Sequence, residues 1–268
     1  MRIIIVGMGW LGQQLAMTLH RAGQQIYATR RSTAALAALP ASVNTLVLEL
    51  GLGRPTDPAL LPLFADAIVI CAIAPGKQSQ AGQYEKACSE LSALIQRAKS
   101  RGVIHFSSSG IYTGLEHNVD ETARLQPDTP RVQTLVAAEQ ALMQTQCCIT
   151  LRLAGLMGPG RHPGRFAGGK TLPNPHGSVN MVHAADVIAA VAVLLQQTDY
   201  SNAIYNLSCP AVVTRQVFYA EAARQAGTVI EFSAQPEQSR WVNPQKFIRQ
   251  FGFNYRYVSA CDALAHCD

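Results

Sequence analysis

Strand-like stretches rich in apolar residues recur along this chain at 3–6, 25–28, 45–50, 67–71, 102–107, 148–153 and 204–207. Short stretches of this kind suit strands of a sheet covered on both faces. Between most of them the pattern changes to helical spacing. Leu15, Ala16 and Leu19 follow the first run, and Tyr84, Cys88, Leu91, Leu94 and Ile95 share one face of a helix predicted over 80–100. Further helices are predicted over 134–143 and 184–195. Strands alternating with helices predict an α/β protein whose parallel sheet is covered on both faces, with ligands bound beyond the carboxyl ends of the strands.

The first run breaks directly into Gly7-Met8-Gly9-Trp10-Leu11-Gly12 and then a helix. A strand, glycine turn and helix in that order let backbone approach a pyrophosphate, with the helix N-terminus facing the charge. The backbone of Gly7, Gly9, Trp10, Leu11 and Gly12 is therefore expected to hold a dinucleotide, on a Rossmann-type doubly wound parallel sheet. The second run ends in Thr29-Arg30-Arg31-Ser32, where an NAD site usually carries an acid for the ribose 2′-hydroxyl. Paired guanidiniums suit a 2′-phosphate, so NADP(H) is expected ahead of NAD(H). The competing reading makes Arg30 and Arg31 solvated, with Ser32 capping the next helix. At the other strand ends, Ala72 and Ala74 are small enough for a cofactor to pass. Glu49 either accepts from the adenine amine or sits in solvent.

Composition narrows the field. The chain has 268 residues, 48% hydrophobic and 15% charged, enough for one doubly wound domain and a modest lobe. Glycine, proline and base dominate from Gly155 on, which divides a dinucleotide-binding domain, 1–154, from a small C-terminal substrate lobe, 155–268, with elements returning to the sheet. The net charge of +5 is spread along the sequence and suits a small anionic substrate as well as it suits nucleic acid. Seven scattered cysteines without a CxxC pair are expected to be reduced thiols, and no metal site is expected. The short opening run is no signal peptide, and no run reaches the roughly 18 apolar residues of a membrane span, so a cytoplasmic protein without membrane partner is expected. Residues 164–171 match a P-loop letter for letter, yet Pro163 precedes them and Pro173 follows, where a P-loop needs a strand and a helix. The basic and aromatic residues from Arg240 to Tyr257 read as a terminal helix, with Asn243-Pro244 at its start and Gly252 as its stop, and no nucleic-acid partner is expected.

Taken in order, these segments resemble the extended short-chain dehydrogenase/reductases, the superfamily of NAD-dependent epimerases and dehydratases. Phe106-Ser107-Ser108-Ser109-Gly110-Ile111-Tyr112 is similar to the serine-rich strand end leading to a Val-Tyr-Gly. Leu151-Arg152-Leu153-Ala154-Gly155 with Gly158-Pro159-Gly160 resembles the opening of the substrate region, and Val182-His183-Ala184-Ala185-Asp186-Val187 the His-Val-x-Asp-Val helix start. The resemblance implies that Ser108 hydrogen-bonds the reacting oxygen of the substrate. It also implies a homodimer through the helices near 80–100 and 134–143.

The likeness departs at the acid/base pair. With Glu139 aligned to the family's glutamate, Arg131 stands at the tyrosine position and Leu135 at the lysine position. An arginine stays protonated and cannot supply the proton an alkoxide needs, although it can stabilise negative charge. Tyr112 is a candidate replacement acid, against a structural role. His105, facing the sheet, and His117, on a loop, are weaker candidates. Arg161, His162 and Arg165, together with Arg131, are candidates for holding an anionic substrate, the alternative being an exposed loop. The expected protein is an atypical NADP(H)-binding oxidoreductase or epimerase-like enzyme on a small polar sugar or carbonyl compound. The alternative is a non-catalytic NADP(H)-binding regulator or sensor.

Overall fold

In a computed structural model of the protein, the described residues are 1–31, 43–54, 56–74, 82–197, 201–233 and 239–268. Strands β1 (Arg2–Val6), β2 (Gln25–Arg30), β3 (Asn44–Val47), β4 (Ile68–Cys71), β5 (Gly102–Ser108), β6 (Cys148–Leu153) and β7 (Ala203–Leu207) form one sheet in the order β7-β6-β5-β4-β1-β2-β3. The four pairings from β3 to β5 are parallel, with Ile3 opposite Ile26 and Val6 opposite Cys71. Ile3, Ile4 and Ile5 are all inaccessible to solvent, as expected of a strand covered on both faces.

The strand order reverses between β1 and β4. At that point the Ala72 amide donates to the Val6 carbonyl at 2.8 Å, so the ends of the two strands open side by side. A crevice at such a reversal is where doubly wound sheets bind ligands.

Helix α1 (Trp10–Arg21) buries Leu11, Leu15, Ala16 and Leu19, and α2 (Gln83–Ala98) buries Tyr84, Cys88, Leu91, Leu94 and Ile95, the stripes read from the sequence. Helix α3 (Pro130–Met143) begins four residues before its predicted start. Thr129 caps it by accepting from the Val132 amide at 3.3 Å, and Pro130 fills the first turn, where its missing N–H costs nothing. Helix α4 (Ala184–Leu195) matches its prediction, with Ala184, Val187, Ala190, Val191 and Leu194 buried. The helix that Ser32 is expected to cap, and the predicted first turn of α2 at 80–81, lie outside the described residues.

The chain groups into two compact units. The first comprises residues 1–107, 127–151 and 194–204; the second comprises 108–126, 152–193 and 205–268. The chain passes into the second unit after residue 151 and returns to the first over 194–204. Residues 108–126, however, group with the second unit.

The second unit is built from short strand pairs, among them Gly155–Met157 with Met181–His183 and His117–Val119 with Arg240–Val242, and from helix α5 (Arg215–Ala226). Its apolar core joins Met157, Met181, Phe218, Ala222, Tyr257 and Leu264. The helix Gln245–Phe251 starts where Asn243 Oδ1 accepts from the Gln245 amide and stops at Gly252 in the left-handed region, φ 59°, but it is not terminal as expected, because a further short helix, Ala260–Leu264, follows it. Residues 164–171 run from a short helix, Pro163–Ala167, into the strand Thr171–Pro173, the reverse of a P-loop's surroundings. All seven cysteines are free thiols. No helix among the described residues is long and apolar enough to cross a membrane.

Candidate dinucleotide cradle and polar pocket

A cavity of about 760 Å³ opens in the first unit at the switch point. Val6, Gly7, Met8 and Gly9 form one wall, Thr29, Arg30 and Arg31 another, and Ala72, Ile73 and Ala74 a third. The glycines are there for steric reasons. Gly7 has φ 106°, and a Cβ on it would lie 2.7 Å from the Ala72 carbonyl. A Cβ on Gly12 would strike the carbonyl oxygen of Gly7, which explains why α1 can pack so close to its own turn. A Cβ on Gly9 would meet nothing within 4 Å, so this glycine faces open space. Gly9 is also the N-cap of α1 and makes no side-chain cap. Trp10, Leu11 and Gly12 begin α1 and are not among the residues that line the cavity.

Arg30 and Arg31 both line the cavity, and no acidic residue does among those described. The Arg30 Nε is buried without a hydrogen-bond partner among the described residues. Such a group is costly unless a ligand satisfies it. These features fit a phosphate-bearing dinucleotide.

The wall expected from Glu49 is made by its neighbours. Leu48 and Leu50 line the cavity, while Glu49 is exposed and lies 3.6 Å from Arg54 in a solvated ion pair. Side chains alternate along extended backbone, so two inward leucines force the residue between them outward. Of the two readings of Glu49, the solvated one is seen. Gln83, Tyr84 and Ala87, from the first turns of α2, complete the cavity. Sequence reasoning passed over them, although their spacing places them on one helical face near a strand end.

Behind Tyr84 lies a buried polar group within the first unit. Its hydroxyl is 3.2 Å from His105 Nε2, and the ligand atoms of Cys71, Cys88 and His105 lie within 4.8 Å of one another. Burial lowers the His105 pKa to about 4 and pushes up the Tyr84 hydroxyl, while the hydrogen bond to Cys71, with burial, pushes up the Cys88 thiol. His105, Tyr84 and Cys88 are therefore neutral near pH 7. Ser107 donates to Glu139 at 2.6 Å close by.

In the second unit, Ser108 ends β5 half-buried, and its Oγ accepts from the Gly110 amide at 3.1 Å. Accepting that bond leaves the hydroxyl hydrogen available to donate. Tyr112 is wholly buried. It donates to Asn206 Oδ1 at 2.9 Å and accepts from Arg152 Nη1 at 2.8 Å, with the guanidinium carbon 5.0 Å from its ring centre. Burial raises its pKa, opposed by Arg152. The Asn206 amide in turn donates to Glu121 at 2.6 Å, and its Nδ2 donates to the Asn243 carbonyl at 3.1 Å. Asn206 thus ties four segments of the unit together, and the Tyr112 hydroxyl is consumed in the tie.

The other expected site residues are scattered. Arg131 is exposed on the first turn of α3, and Leu135, one turn on, is buried. Arg161 is exposed and donates to the Leu156 carbonyl; Arg165 pairs with Asp268 at 2.6 Å. His162 is buried and caps the short helix through Nδ1, which accepts from the Gly164 amide. His117 is almost fully exposed.

None of these lines the second unit's own pocket, of about 460 Å³. That pocket is polar, formed by Ser109, Asn174, Ser178, Ser239, Arg215 and Arg240 among others, with Tyr219 one turn beyond Arg215 on α5. Asn180 braces it, accepting from the Val242 amide at 2.7 Å and donating to the Arg240 carbonyl at 2.9 Å. Two guanidiniums, with no acid among the described lining residues, suit an anion. Nothing local in the sequence announces this pocket, whose walls come from residues 109 to 240.

Sheet order and glycine turn give a Rossmann-type fold similar to that of solved short-chain dehydrogenase/reductase and NAD-dependent epimerase/dehydratase structures. The chain is 34% identical over 266 residues, 96% of each sequence, to Protein YeeZ of Escherichia coli strain K12, and it belongs to the same family. No model of a known protein family matches the sequence. Among solved structures, a short-chain dehydrogenase/reductase superfamily protein from Agrobacterium tumefaciens with bound NAD superposes with a TM-score of 0.80 at 13% identity, covering 100% of this chain and 96% of the other. UDP-glucuronic acid 4-epimerase from Bacillus cereus, in complex with NAD, gives 0.78 at 15% identity, covering 99% and 97%. Identities this low speak to the fold.

Proposed function

We propose that this protein is an NADP(H)-dependent oxidoreductase or epimerase-like enzyme acting on a small anionic sugar or carbonyl compound. The observation that carries the cofactor preference is Arg30 beside Arg31 at the end of β2, both on the cradle wall, with the Arg30 Nε buried and unsatisfied. Solved structures of this fold hold NAD, and two hold UDP-glucuronic acid as well, which supports a nicotinamide dinucleotide and a phosphorylated sugar as ligand classes. In this reading the cradle binds the pyrophosphate through the amides of α1, and Thr29, Arg30 and Arg31 meet the adenosine ribose and its 2′-phosphate. A bound nicotinamide supplies or accepts hydride. Ser108 donates its free hydrogen to the substrate oxygen, and Arg215 and Arg240 hold the substrate's negative group.

Single-turnover absorbance at the nicotinamide band, with NADPH and a panel of keto acids and with NADP+ and a panel of UDP-sugars, tests the reading. Oxidation of NADPH by a keto acid, or reduction of NADP+ by a UDP-sugar, is expected with at least one anionic substrate, and it should be strongly slowed in Ser108→Ala. A second reading has its own observation: the Tyr112 hydroxyl is consumed by Asn206 and Arg152, and a buried leucine stands at the lysine position. Tight NADPH binding with no turnover on the whole panel would favour that non-catalytic sensor.

A further inference from the structure

Residues 51–53 follow directly on Leu50 of the cradle wall. Both Gly51 and Gly53 are in the left-handed region, with φ of 87° and 71°. The Gly51 amide donates to Glu90 Oε2 at 2.6 Å, and the Gly53 amide donates to Glu90 Oε1 at 2.7 Å. Glu90 lies on α2, two turns beyond Gln83 and one beyond Ala87, which line the same cavity. Packing agrees with the bonding, since a Cβ on Gly51 would lie 2.7 Å from the Gln83 carbonyl and one on Gly53 2.6 Å from Lys86 Nζ. One carboxylate therefore holds the turn against the helix with two charge-assisted bonds, the strong kind.

We infer that Glu90 is a positioning residue for the cofactor: its bidentate grip on Gly51 and Gly53 sets Leu48 and Leu50 at the separation from Gln83, Tyr84 and Ala87 that an adenine ring fills. It touches no ligand itself. Its effect reaches the site through the turn, so it acts on the adenosine half of a dinucleotide and leaves the nicotinamide half alone. This rests on the reading of the cradle as a dinucleotide site.

Calorimetric titration of the full chain with NADPH and with 2′,5′-ADP, for wild type, Glu90→Gln and Glu90→Ala, tests the inference on folded samples checked by circular dichroism and thermal melting. Charge-assisted bonds of this kind predict that Glu90→Ala weakens both ligands about tenfold, with Glu90→Gln, which keeps one neutral acceptor, falling between. Kd values equal in all three proteins, even with a lower melting temperature in the variants, would overturn it and leave Glu90 a brace for the fold. Failure of the wild type to bind either ligand would overturn it together with the cradle reading, a distinct outcome.

Discussion

The two cavities are lined by different kinds of polar group. In the first unit, the cradle offers backbone amides, small side chains and one arginine pair, all at strand ends in a regular order. In the second, the pocket offers side-chain tips of serine, asparagine and arginine gathered from distant segments. A site made of backbone depends on turn geometry and tolerates little change at its glycines. One made of side chains can change specificity by single substitutions.

The largest effect should come from breaking the backbone site. Gly12→Val puts a branched side chain against the Gly7 carbonyl, and dinucleotide affinity should fall at least about 100-fold, with ligand binding to the second unit's pocket unchanged. Calorimetry with NADPH reads the first and substrate-protection assays the second. Ser108→Ala comes next. Loss of a donor aimed at developing charge predicts about a 10²–10³-fold slower single turnover. Tyr112→Phe should leave that rate alone and instead lower stability by about 1–3 kcal/mol in urea unfolding, since Asn206 and Arg152 lose a buried partner. A rate loss in Tyr112→Phe would restore it as the acid.

A smaller effect separates the two arginine sets. Arg240→Ala should raise the substrate KM about tenfold with no change in NADPH affinity. The smallest effect concerns pH. Asp186 is buried in the second unit, accepts from the Arg256 amide at 2.6 Å, and has its pKa raised to about 6 by that burial. An acid whose folded pKa exceeds its unfolded value of about 4 binds more protons when folded, so its contribution to stability declines as pH rises from about 4 to 6. The difference in unfolding free energy between wild type and Asp186→Asn should therefore shift in favour of the variant over that window. A constant difference from pH 4 to pH 7 would contradict the shift.

Much of the first unit was legible in the sequence because its signals are local. A run of four apolar residues, three glycines and an arginine pair lie within 31 positions, and the sheet places them together. Glu49 shows where local reading ended: without the register of β3, its direction relative to Leu48 and Leu50 was undetermined. The start of α3 was hidden because Thr129-Pro130 reads equally as a turn and as a cap. In the second unit, Asn206 and the walls of the polar pocket depend on pairings across a hundred residues, which no window on the sequence contains. The basic loop at 161–165 attracted attention by composition, yet Arg165 is engaged with Asp268 and His162 with its own helix start.

The cofactor preference is the central claim, and calorimetric titration of the wild-type protein with NADP+ and with NAD+ tests it most directly. Paired arginines on a 2′-phosphate predict NADP+ binding at least about tenfold tighter, with the advantage abolished in Arg30→Ala/Arg31→Ala. Equal affinities, or tighter binding of NAD+, would contradict the account.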